Sequence, residues 1–429
     1  MGRFIIEGGY PLQGTVHPSG NKNETLPVLA ACLLTDQEVV LDNVPRIQDV
    51  EVMCRILADL GASVSWSNGG TVTIKAANIH KTTLDRGQCN KIRASILLAG
   101  PMLARFHEVV LPPPGGDVIG RRRVDTHFDA MQALGATLEI KDSYHLKADK
   151  LVGTHMFLDE PSVTGTENAV MAAVLAKGTS IIENAACEPH VQALCRMLNS
   201  MGAKITGIGT NMLHIEGVDA LGGTRHRIGP DYLEIGSFIG LGAVIGGPKG
   251  INIADASAHD LRKIKYVFER LGVQMEFKED GSCFVPGEQT LKIKSDLHGG
   301  IPQIDDAPWP QFPTDLMSIA ITVATQASGT VLFFEKMFEG RMFFVDYLVR
   351  MGAHIILCDP HRVVVVGKSD LYGANLESPD VRAGMALVIA SLVANGTSVI
   401  NNIRQVDRGY ERIDEKLRAL GAHIVREED

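Results

Sequence analysis

The chain has 429 residues, of which 45% are hydrophobic and 21% charged, and its formal net charge is −9. This composition is typical of a globular protein with two or more domains, and the acidic balance argues against non-specific nucleic-acid binding. The seven cysteines are scattered without a Cys-x-x-Cys pair, and no long apolar stretch is free of polar breaks. We therefore expect no disulfide framework, no metal site, no membrane span and a reducing, cytoplasmic location.

Two kinds of helix alternate along the chain after a predicted N-terminal strand, Phe4–Glu7. The first kind is apolar around its whole circumference and is therefore expected to be buried. These helices are predicted over Leu26–Leu34, Ala94–Ala104, Ala169–Ala176, Phe238–Ile245, Ser318–Ala327 and Met385–Ala394. The second kind is amphipathic and is expected at the surface. These are predicted over Val50–Leu60, Asp125–Leu134, His190–Met201, His259–Leu271, Arg341–Met351 and Gly409–Leu420.

A short phrase recurs six times, about every 70 residues, where each amphipathic helix ends. It consists of Leu or Met, then Gly, then Ala or Val, and it precedes a β-rich run. Glycine in this place is typical of a helix C-terminus. The repeat is therefore a βαβαββ unit with one buried and one surface helix. Six units predict an α/β protein of two domains, each with three buried helices inside a shell of sheets and surface helices; an elongated solenoid fits less well.

The sixth unit ends without its second strand, whereas the N-terminus has a strand to spare. We expect Phe4–Glu7 to complete the domain that contains the C-terminus. The predicted first domain therefore spans residues 22–229, and the second spans residues 1–21 and 230–429.

The residues that break the repeat are the candidates for chemistry. Lys22 enters a buried helix, where the helix macrodipole disfavours a cation unless an anion is bound; the alternative is a solvated turn lysine. The Pro- and Gly-rich segment 112–123 carries Asp117 and three arginines, which fits either a mobile lid or a solvated charged loop. Asp315 enters another buried helix as an N-cap or as a general base. Arg93, Arg341, Arg382 and Arg408 lie at comparable unit junctions and form either separate ion pairs or one anion site.

Several motifs together resemble the UDP-N-acetylglucosamine 1-carboxyvinyltransferases, a family of enolpyruvyl transferases. The resemblance covers the whole length and is strongest at Gly20–Asn23, Arg93–Ser95, Pro114–Gly120 with Asp125 and His127, Phe312–Asp315 and Asp407–Arg412. It implies a two-domain inside-out α/β barrel of six βαβαββ repeats. It also implies transfer of the enolpyruvyl group of phosphoenolpyruvate to the 3′-hydroxyl of UDP-N-acetylglucosamine, with release of phosphate and without a cofactor. This is the first committed step of peptidoglycan precursor synthesis.

The resemblance also implies residue roles. Asp117 would donate the proton to C3 of phosphoenolpyruvate, and Asp315 would face the sugar hydroxyl. Contacts to phosphoenolpyruvate and phosphate would come from Lys22, Arg93, Arg122 and Arg408, of which Lys22 and Arg408 join the two aspartates as the catalytic set. The cleft would be ordered by Arg341, Asp380 and Arg382. The nucleotide sugar would be contacted by Asn23, Ser162, Val163, Asp315 and Met337.

The chain departs from the family pattern at four positions. Asp117 stands where most members have a cysteine, which is the residue that the epoxide antibiotic fosfomycin alkylates in such relatives. Arg123 replaces a usual proline, Thr164 stands in a usual Ser-Val-Gly segment, and Tyr232 replaces a common arginine, so that only Asp231 carries over there.

Two other functions stay open. The related 3-phosphoshikimate enolpyruvyl transferases would show Ser-Lys-Ser where this chain has Asn21-Lys22-Asn23. The other is a non-catalytic nucleotide-sugar-binding paralogue, against which the retention of Lys22, Arg93, Asp117, Asp315 and Arg408 together argues. The expected partners are the two small-molecule substrates, with no nucleic acid and no membrane.

Overall fold

In the computed structural model of the chain, which describes residues 2–117 and 119–428, six sheets share one strand pattern. One central strand pairs in parallel with a neighbour on one side and antiparallel with a neighbour on the other. That antiparallel neighbour also pairs with the last strand of the sheet. In the one three-stranded sheet, the parallel neighbour is reduced to a bridge between Thr83 and Val110. The same arrangement six times over is the structural form of the sequence repeat.

Three sheets belong to the N-terminal unit, which we define as residues 20–117 and 122–229. In spatial order the first sheet contains Thr224–Arg227, Glu38–Asp42, Thr71–Lys75 and Ser63–Ser67. The second contains Glu108–Leu111, Tyr144–Lys147 and Thr137–Ile140. The third contains Lys204–Thr206, Met212–Glu216, Thr179–Glu183 and His155–Phe157.

The other three sheets belong to the C-terminal unit, which we define as residues 2–19, 119–121 and 230–428. The first contains Glu276–Phe277, Cys283–Val285, Gly246–Ile253 and Leu12–Val16. The second contains Gln303–Asp305, Gly329–Phe334, Arg362–Gly367 and Ile355–Asp359. The third contains Asn375–Glu377, Thr397–Asn401, Arg3–Glu7 and His423–Glu427.

Each unit encloses three helices in its own hydrophobic core. The buried helices are Lys22–Ala31, Ala99–Phe106, Val163–Ala173, Tyr232–Ile245, Met317–Thr325 and Val381–Val393. The outer α-helices are Gln48–Leu60, Arg86–Cys89, Asp125–Ala133, Pro189–Ser200, Arg262–Arg270, Val345–Arg350, Arg404–Asp407 and Ile413–Ala419. Short 3-10 helices cover Cys32–Leu34, Arg93–Leu98, Leu297–Gly299, Thr314–Leu316 and Arg341–Phe344. No helix among the described residues is long and apolar enough to cross a membrane.

The N-terminal strand lies inside the C-terminal unit. Arg3–Glu7 pairs antiparallel with Thr397–Asn401 on one side and with His423–Glu427 on the other. Phe4 and Ile6 point into the core and are fully buried. The strand occupies the sheet position that a hairpin strand fills in the other units, so the last unit is completed by the first residues of the chain.

The repeated glycine ends the surface helix in a left-handed conformation in all six units. The six glycines are Gly61, Gly135, Gly202, Gly272, Gly352 and Gly421, and their φ angles lie between +89° and +114°. A side chain at such a φ meets its own backbone, so glycine is strongly preferred. The constraint is local, which explains why the phrase recurs at every helix end.

Two of these glycines allow the cost of backbone strain to be distinguished from the cost of a steric clash. An added Cβ at Gly202 meets no atom within 4 Å, whereas at Gly61 it would lie 2.3 Å from the carbonyl oxygen of Asn78. We expect Gly202→Ala to lower the free energy of unfolding by about 1–2 kcal/mol through strain alone. Gly61→Ala should cost more, about 3 kcal/mol, because the backbone must also move. Urea unfolding followed by circular dichroism measures both, and equal losses would contradict the packing argument.

Candidate active site

Lys22 begins the first buried helix and is held by a carboxylate. Its Nζ lies 2.8 Å from Asp49, and the two side chains are only 12% and 5% exposed. Asn21 caps the helix by accepting a hydrogen bond from the Glu24 N–H, and Asn23 lies partly exposed in the same turn. Lys22 is therefore a nearly buried, paired cation at a helix N-terminus rather than a solvated turn lysine.

The loop that carries Asp117 is packed at its base against the segment before Arg93. An added Cβ at Gly115 would lie 1.9 Å from the Asn90 carbonyl oxygen, and one at Gly116 would lie 2.8 Å from the Arg93 Cβ. Both glycines are thus required by close approach. Asp117 follows them and is partly exposed.

Arg93 also holds the second half of the same loop, at Arg122 and Arg123. Its Nη2 donates to the backbone carbonyls of Arg122 and Arg123 at 3.0 and 2.8 Å. Burial, followed by repulsion from the Arg122 charge, lowers the pKa of Arg93 to about 10. Part of the binding capacity of this guanidinium therefore goes to positioning the loop that bears Arg122.

Residues 119–121 of the loop group with the C-terminal unit. The Gly340 N–H donates to the Ile119 carbonyl at 2.9 Å, and the Arg121 N–H donates to Glu339 at 3.0 Å. Gly120 has a φ of +127°, and a Cβ there would meet the Glu339 carboxylate at 2.5 Å. Residues 119–121 are therefore held by contacts within the C-terminal unit.

Ser162 and Val163 start the third buried helix of the N-terminal unit, beside a histidine network. Ser162 caps the helix through a 3.2 Å bond from the Gly165 N–H. Asn168 accepts from the Gly100 N–H, so its amide donates to His127 Nδ1 at 2.8 Å. His127 Nε2 then carries the proton and donates to the Thr164 hydroxyl at 3.2 Å. Burial, aided by the charge of Arg93, lowers the pKa of His127 to about 3, so the ring is neutral.

In the C-terminal unit Asp315 lies between two arginines. Arg341 Nη2 donates to one carboxylate oxygen at 2.6 Å, and Arg382 Nε donates to the other at 3.0 Å. The arginine side chains are 11% and 5% exposed, and that of Asp315 is 23% exposed. Burial by itself would lower the pKa of Arg341, but Asp315 and Asp380 together hold it above its usual value. Both arginines therefore stay charged.

The capping role considered for Asp315 is not the one observed. Neither the 3-10 helix Thr314–Leu316 nor the helix that follows has a side-chain cap. Asp380 is a cap instead, since it accepts from the N–H groups of Arg382 and Ala383 at 2.8 and 3.0 Å. Asp231 likewise caps its helix. The structure thus separates one aspartate held by arginines from two that stabilise helix ends.

A small pocket adjoins Arg341 and Asp380. It has a volume of about 10 Å³, room for about one water-sized group, and is also lined by Met317, Ser318, Phe344 and Ala383. Ser318 Oγ and Arg341 Nε are buried without a hydrogen-bond partner in the described chain. Both can donate to an oxygen atom placed there.

Arg408 and Met337 lie on turns of the same unit. Arg408 is partly exposed and donates to Gln405 at 3.0 Å. The neighbouring Tyr410 is fully buried, its hydroxyl lies 2.9 Å from Ser237 Oγ, and the Arg382 guanidinium lies 5.3 Å from its ring centre. Met337 is 38% exposed, and its N–H donates to Glu335 at 3.0 Å. The structure therefore links Asp315, Arg341 and Arg382 directly.

Sequence reasoning missed three acids of these turns. Asp49 holds Lys22, Glu335 supports the Met337 turn, and Glu24 anchors its helix by accepting from the Gly229 N–H at 3.1 Å. An acid in the first turn of a surface helix, such as Asp49, reads as an ordinary macrodipole partner. Its second role, pairing with the nearly buried Lys22, becomes visible only in the structure.

Comparison with known proteins matches the whole chain. The family profile described as EPSP synthase (3-phosphoshikimate 1-carboxyvinyltransferase) matches residues 6–417. The UDP-N-acetylglucosamine 1-carboxyvinyltransferase of Borreliella burgdorferi is 56% identical over 425 residues, which is 99% of both chains. The protein of the same name from Treponema pallidum is 51% identical over 427 residues, 100% of both.

Solved structures show the same fold. The enolpyruvyl transferase NikO from Streptomyces tendae has a TM-score of 0.89 with 21% identity, covering 99% of this chain and 98% of that one. EPSP synthase from Acinetobacter baumannii has a TM-score of 0.78 with 17% identity and full coverage of both. The predicted two-domain α/β fold is thereby confirmed. Because the profile spans most of the chain and relatives are more than half identical along its whole length, the chain belongs to the enolpyruvyl (1-carboxyvinyl) transferase family.

Proposed function

We propose that this enzyme transfers the enolpyruvyl group of phosphoenolpyruvate to the 3′-hydroxyl of UDP-N-acetylglucosamine. The observation that carries the proposal is full-length identity of 51–56% to relatives named for that activity. The two structural units are then the two enolpyruvyl transferase domains. The reaction supplies peptidoglycan precursor synthesis in the cytoplasm, a location supported by the absence of a disulfide among the described cysteines.

The proposed chemistry is addition followed by elimination. Asp117 donates a proton to C3 of phosphoenolpyruvate while the sugar oxygen attacks C2, and Asp315 accepts the hydroxyl proton. Loss of a proton from C3 and of phosphate from C2 then restores the double bond. The arginines beside Asp315 stabilise its charged form, which is the form that a base requires, and they fix both of its oxygens.

Anion binding in this proposal comes from cations near helix ends. Lys22, with Arg93, Arg122 and Arg408, holds the carboxylate and phosphate of phosphoenolpyruvate. Helix N-termini add N–H groups and positive dipole ends. Arg341 and Arg382 order Asp315, with Asp380 fixing the start of the helix that carries Arg382.

The nucleotide sugar is assigned to the polar turns. Asn23, Ser162 and Val163 lie in first turns of buried helices of the N-terminal unit, and Met337 lies on an exposed turn of the C-terminal unit. The Thr164 hydroxyl beside Val163 is occupied by the His127 bond. The Thr164 hydroxyl therefore has a fixed orientation and does not rotate freely.

Phosphate release with each acceptor tests the function. Release from phosphoenolpyruvate should require UDP-N-acetylglucosamine and should stay at background with 3-phosphoshikimate. Turnover with 3-phosphoshikimate alone would assign the chain to the other branch of the family. Binding of UDP-N-acetylglucosamine without phosphate release would identify a nucleotide-sugar-binding protein.

Asp315→Asn should lower kcat by about 100-fold or more, because the amide keeps the shape but loses the charge and the proton acceptor. The measurement is phosphate release at saturating substrates, with calorimetry for substrate binding. Asp346→Asn is the matched control, since Asp346 is an exposed aspartate on a surface helix, paired only at 3.4 Å with Arg350. Near-normal turnover of Asp315→Asn would reduce Asp315 to a structural ion-pair partner.

The native enzyme should be active and insensitive to fosfomycin, because a carboxylate is a weak nucleophile towards an epoxide, whereas a thiolate is a strong one. Asp117→Cys should become sensitive, with a single adduct at position 117 by mass spectrometry, and Asp117→Asn should be nearly inert. The check on specificity is Cys358, the one exposed cysteine among the described residues. Rapid irreversible inactivation of the native chain would contradict the assignment of Asp117.

A further inference from the structure

Strand register brings two buried carboxyl groups together beneath the turns of Asp315 and Met337. Gln303–Asp305 and Gly329–Phe334 pair in parallel, with Asp305 opposite Phe334. The next residue on each strand is an acid, Asp306 on one and Glu335 on the other, and both are fully buried. Two neighbouring carboxylates away from water repel strongly, so the pair is favoured when it holds one proton.

The two acids organise both turns through hydrogen bonds. Glu335 accepts from the N–H groups of Met337 and Phe338 at 3.0 Å each and from the Thr314 hydroxyl at 2.9 Å. Asp306 Oδ1 accepts from the Lys336 N–H at 2.6 Å. Asp306 Oδ2 is buried and accepts from no N–H or O–H group in the described chain. That oxygen is left to share a proton with Glu335.

Some of the surrounding groups raise the pKa of Glu335, and others lower it. Burial, then the hydrogen bond to Asp306 and its charge, raises the pKa of Glu335 to about 9, against the opposing effects of Arg341 and Thr314. His361 Nδ1 lies 2.7 Å from the Glu335 backbone carbonyl rather than its carboxyl group. The Lys336 ammonium pairs with the partly exposed Asp305. Of these groups, Asp306 is the acid whose negative charge directly disfavours ionisation of Glu335.

We infer that Asp306 and Glu335 form a one-proton carboxyl pair that positions the Thr314–Asp315 and Met337–Phe338 segments for the nucleotide sugar. The inference rests on the proposed function, which assigns Asp315 and Met337 to that substrate. Both acids are positioning residues, because they act through the turns that they hold. When the shared proton leaves, repulsion separates the pair, the turns lose their common acceptor, and affinity for the sugar nucleotide falls.

The same pair ties stability to pH. The pKa of Glu335 is raised from 4.5 to about 9 on folding, so the folded chain holds a proton that the unfolded chain releases. Its contribution is fully present below about pH 4.5 and is lost as the pH rises through about 9. The free energy of unfolding should therefore decline across that range more in the native chain than in a variant without the shared proton.

Asp306→Asn tests the pair, because an amide N–H replaces the shared proton at every pH. The dissociation constant of UDP-N-acetylglucosamine is measured by calorimetry without phosphoenolpyruvate between about pH 7.5 and 10. For the native chain it should rise about tenfold per pH unit above about pH 9, whereas for Asp306→Asn it should change less than about threefold. Asp305→Asn is the matched control on the adjacent, partly exposed position and should follow the native profile.

Two further measurements keep the outcomes distinct. Glu335→Gln carries the same single charge and should flatten the profile in the same way, which covers failure of Asp306→Asn to fold. Urea unfolding against pH tests the pair without any substrate. Identical pH profiles for native and variant chains in binding and unfolding would overturn the inference. Failure of the native chain to bind UDP-N-acetylglucosamine at about pH 7.5 would instead contradict the proposed function, and unfolding would still decide whether the proton is shared.

Discussion

The complete burial of six helices is the constraint on which the rest of the structure depends. A helix that is apolar on every side can carry charge only at its ends, because a charge along its length would be buried without water. Many of the candidate residues accordingly sit at the first turns of these helices or in the short 3-10 helices that lead into them: Lys22 and Asn23, Arg93, Ser162 and Val163, Asp315, Asp380 and Arg382. The backbone N–H groups exposed at these turns are the same groups that bind anions. Burial of the core therefore determines where chemistry is possible.

The two units use these helix ends in opposite ways. In the C-terminal unit, aspartates stand at or near the start of all three buried helices: Asp231, Asp315 and Asp380. Arg341 and Arg382 offset this negative charge, and Asp315 joins them directly. In the N-terminal unit, Lys22 and Arg93 place positive charge against the macrodipole, and Asp49 makes the first of these tolerable. One unit thus surrounds an aspartate with arginines, whereas the other places cations at its helix ends.

The sequence predicts this architecture well because its rules are local. Circumferential apolarity predicts buried helices, and the repeated glycine predicts helix ends, which a positive φ then requires. The helices nevertheless begin earlier than the apolar pattern suggests: Tyr232 rather than Phe238, and Val381 rather than Met385. Their polar first turns read as loops, although those turns carry Asp231 and Asp380. The pattern is least informative at the residues that matter most for the site.

Non-local partners could not be predicted in the same way. Asp306 and Glu335 meet because two strands pair in parallel across an intervening helix, and nothing in either local sequence specifies that register. Lys22 and Asp49 meet between the start of a buried helix and the start of a surface helix. Periodicity identifies the elements but not the contacts between their ends. The predicted residues were therefore candidates in isolation, and their partners emerged from the fold.

Three of the departures from the family pattern, at Arg123, Thr164 and Tyr232, are accommodated by contacts with neighbouring side chains. Arg123 pairs with Asp125 at 3.2 Å and with Asp159 at 2.9 Å. Thr164 accepts a bond from His127, and the ring of Tyr232 packs edge-on to Trp309 at 6.3 Å. Each change has a partner within its own unit and leaves the Asp315 cluster untouched. Asp117 is the exception, because it places a carboxylic acid where the family resemblance implies a thiol. The chain therefore differs in chemical type at its proposed proton donor, whereas Arg123, Thr164 and Tyr232 are accommodated by contacts within their own units.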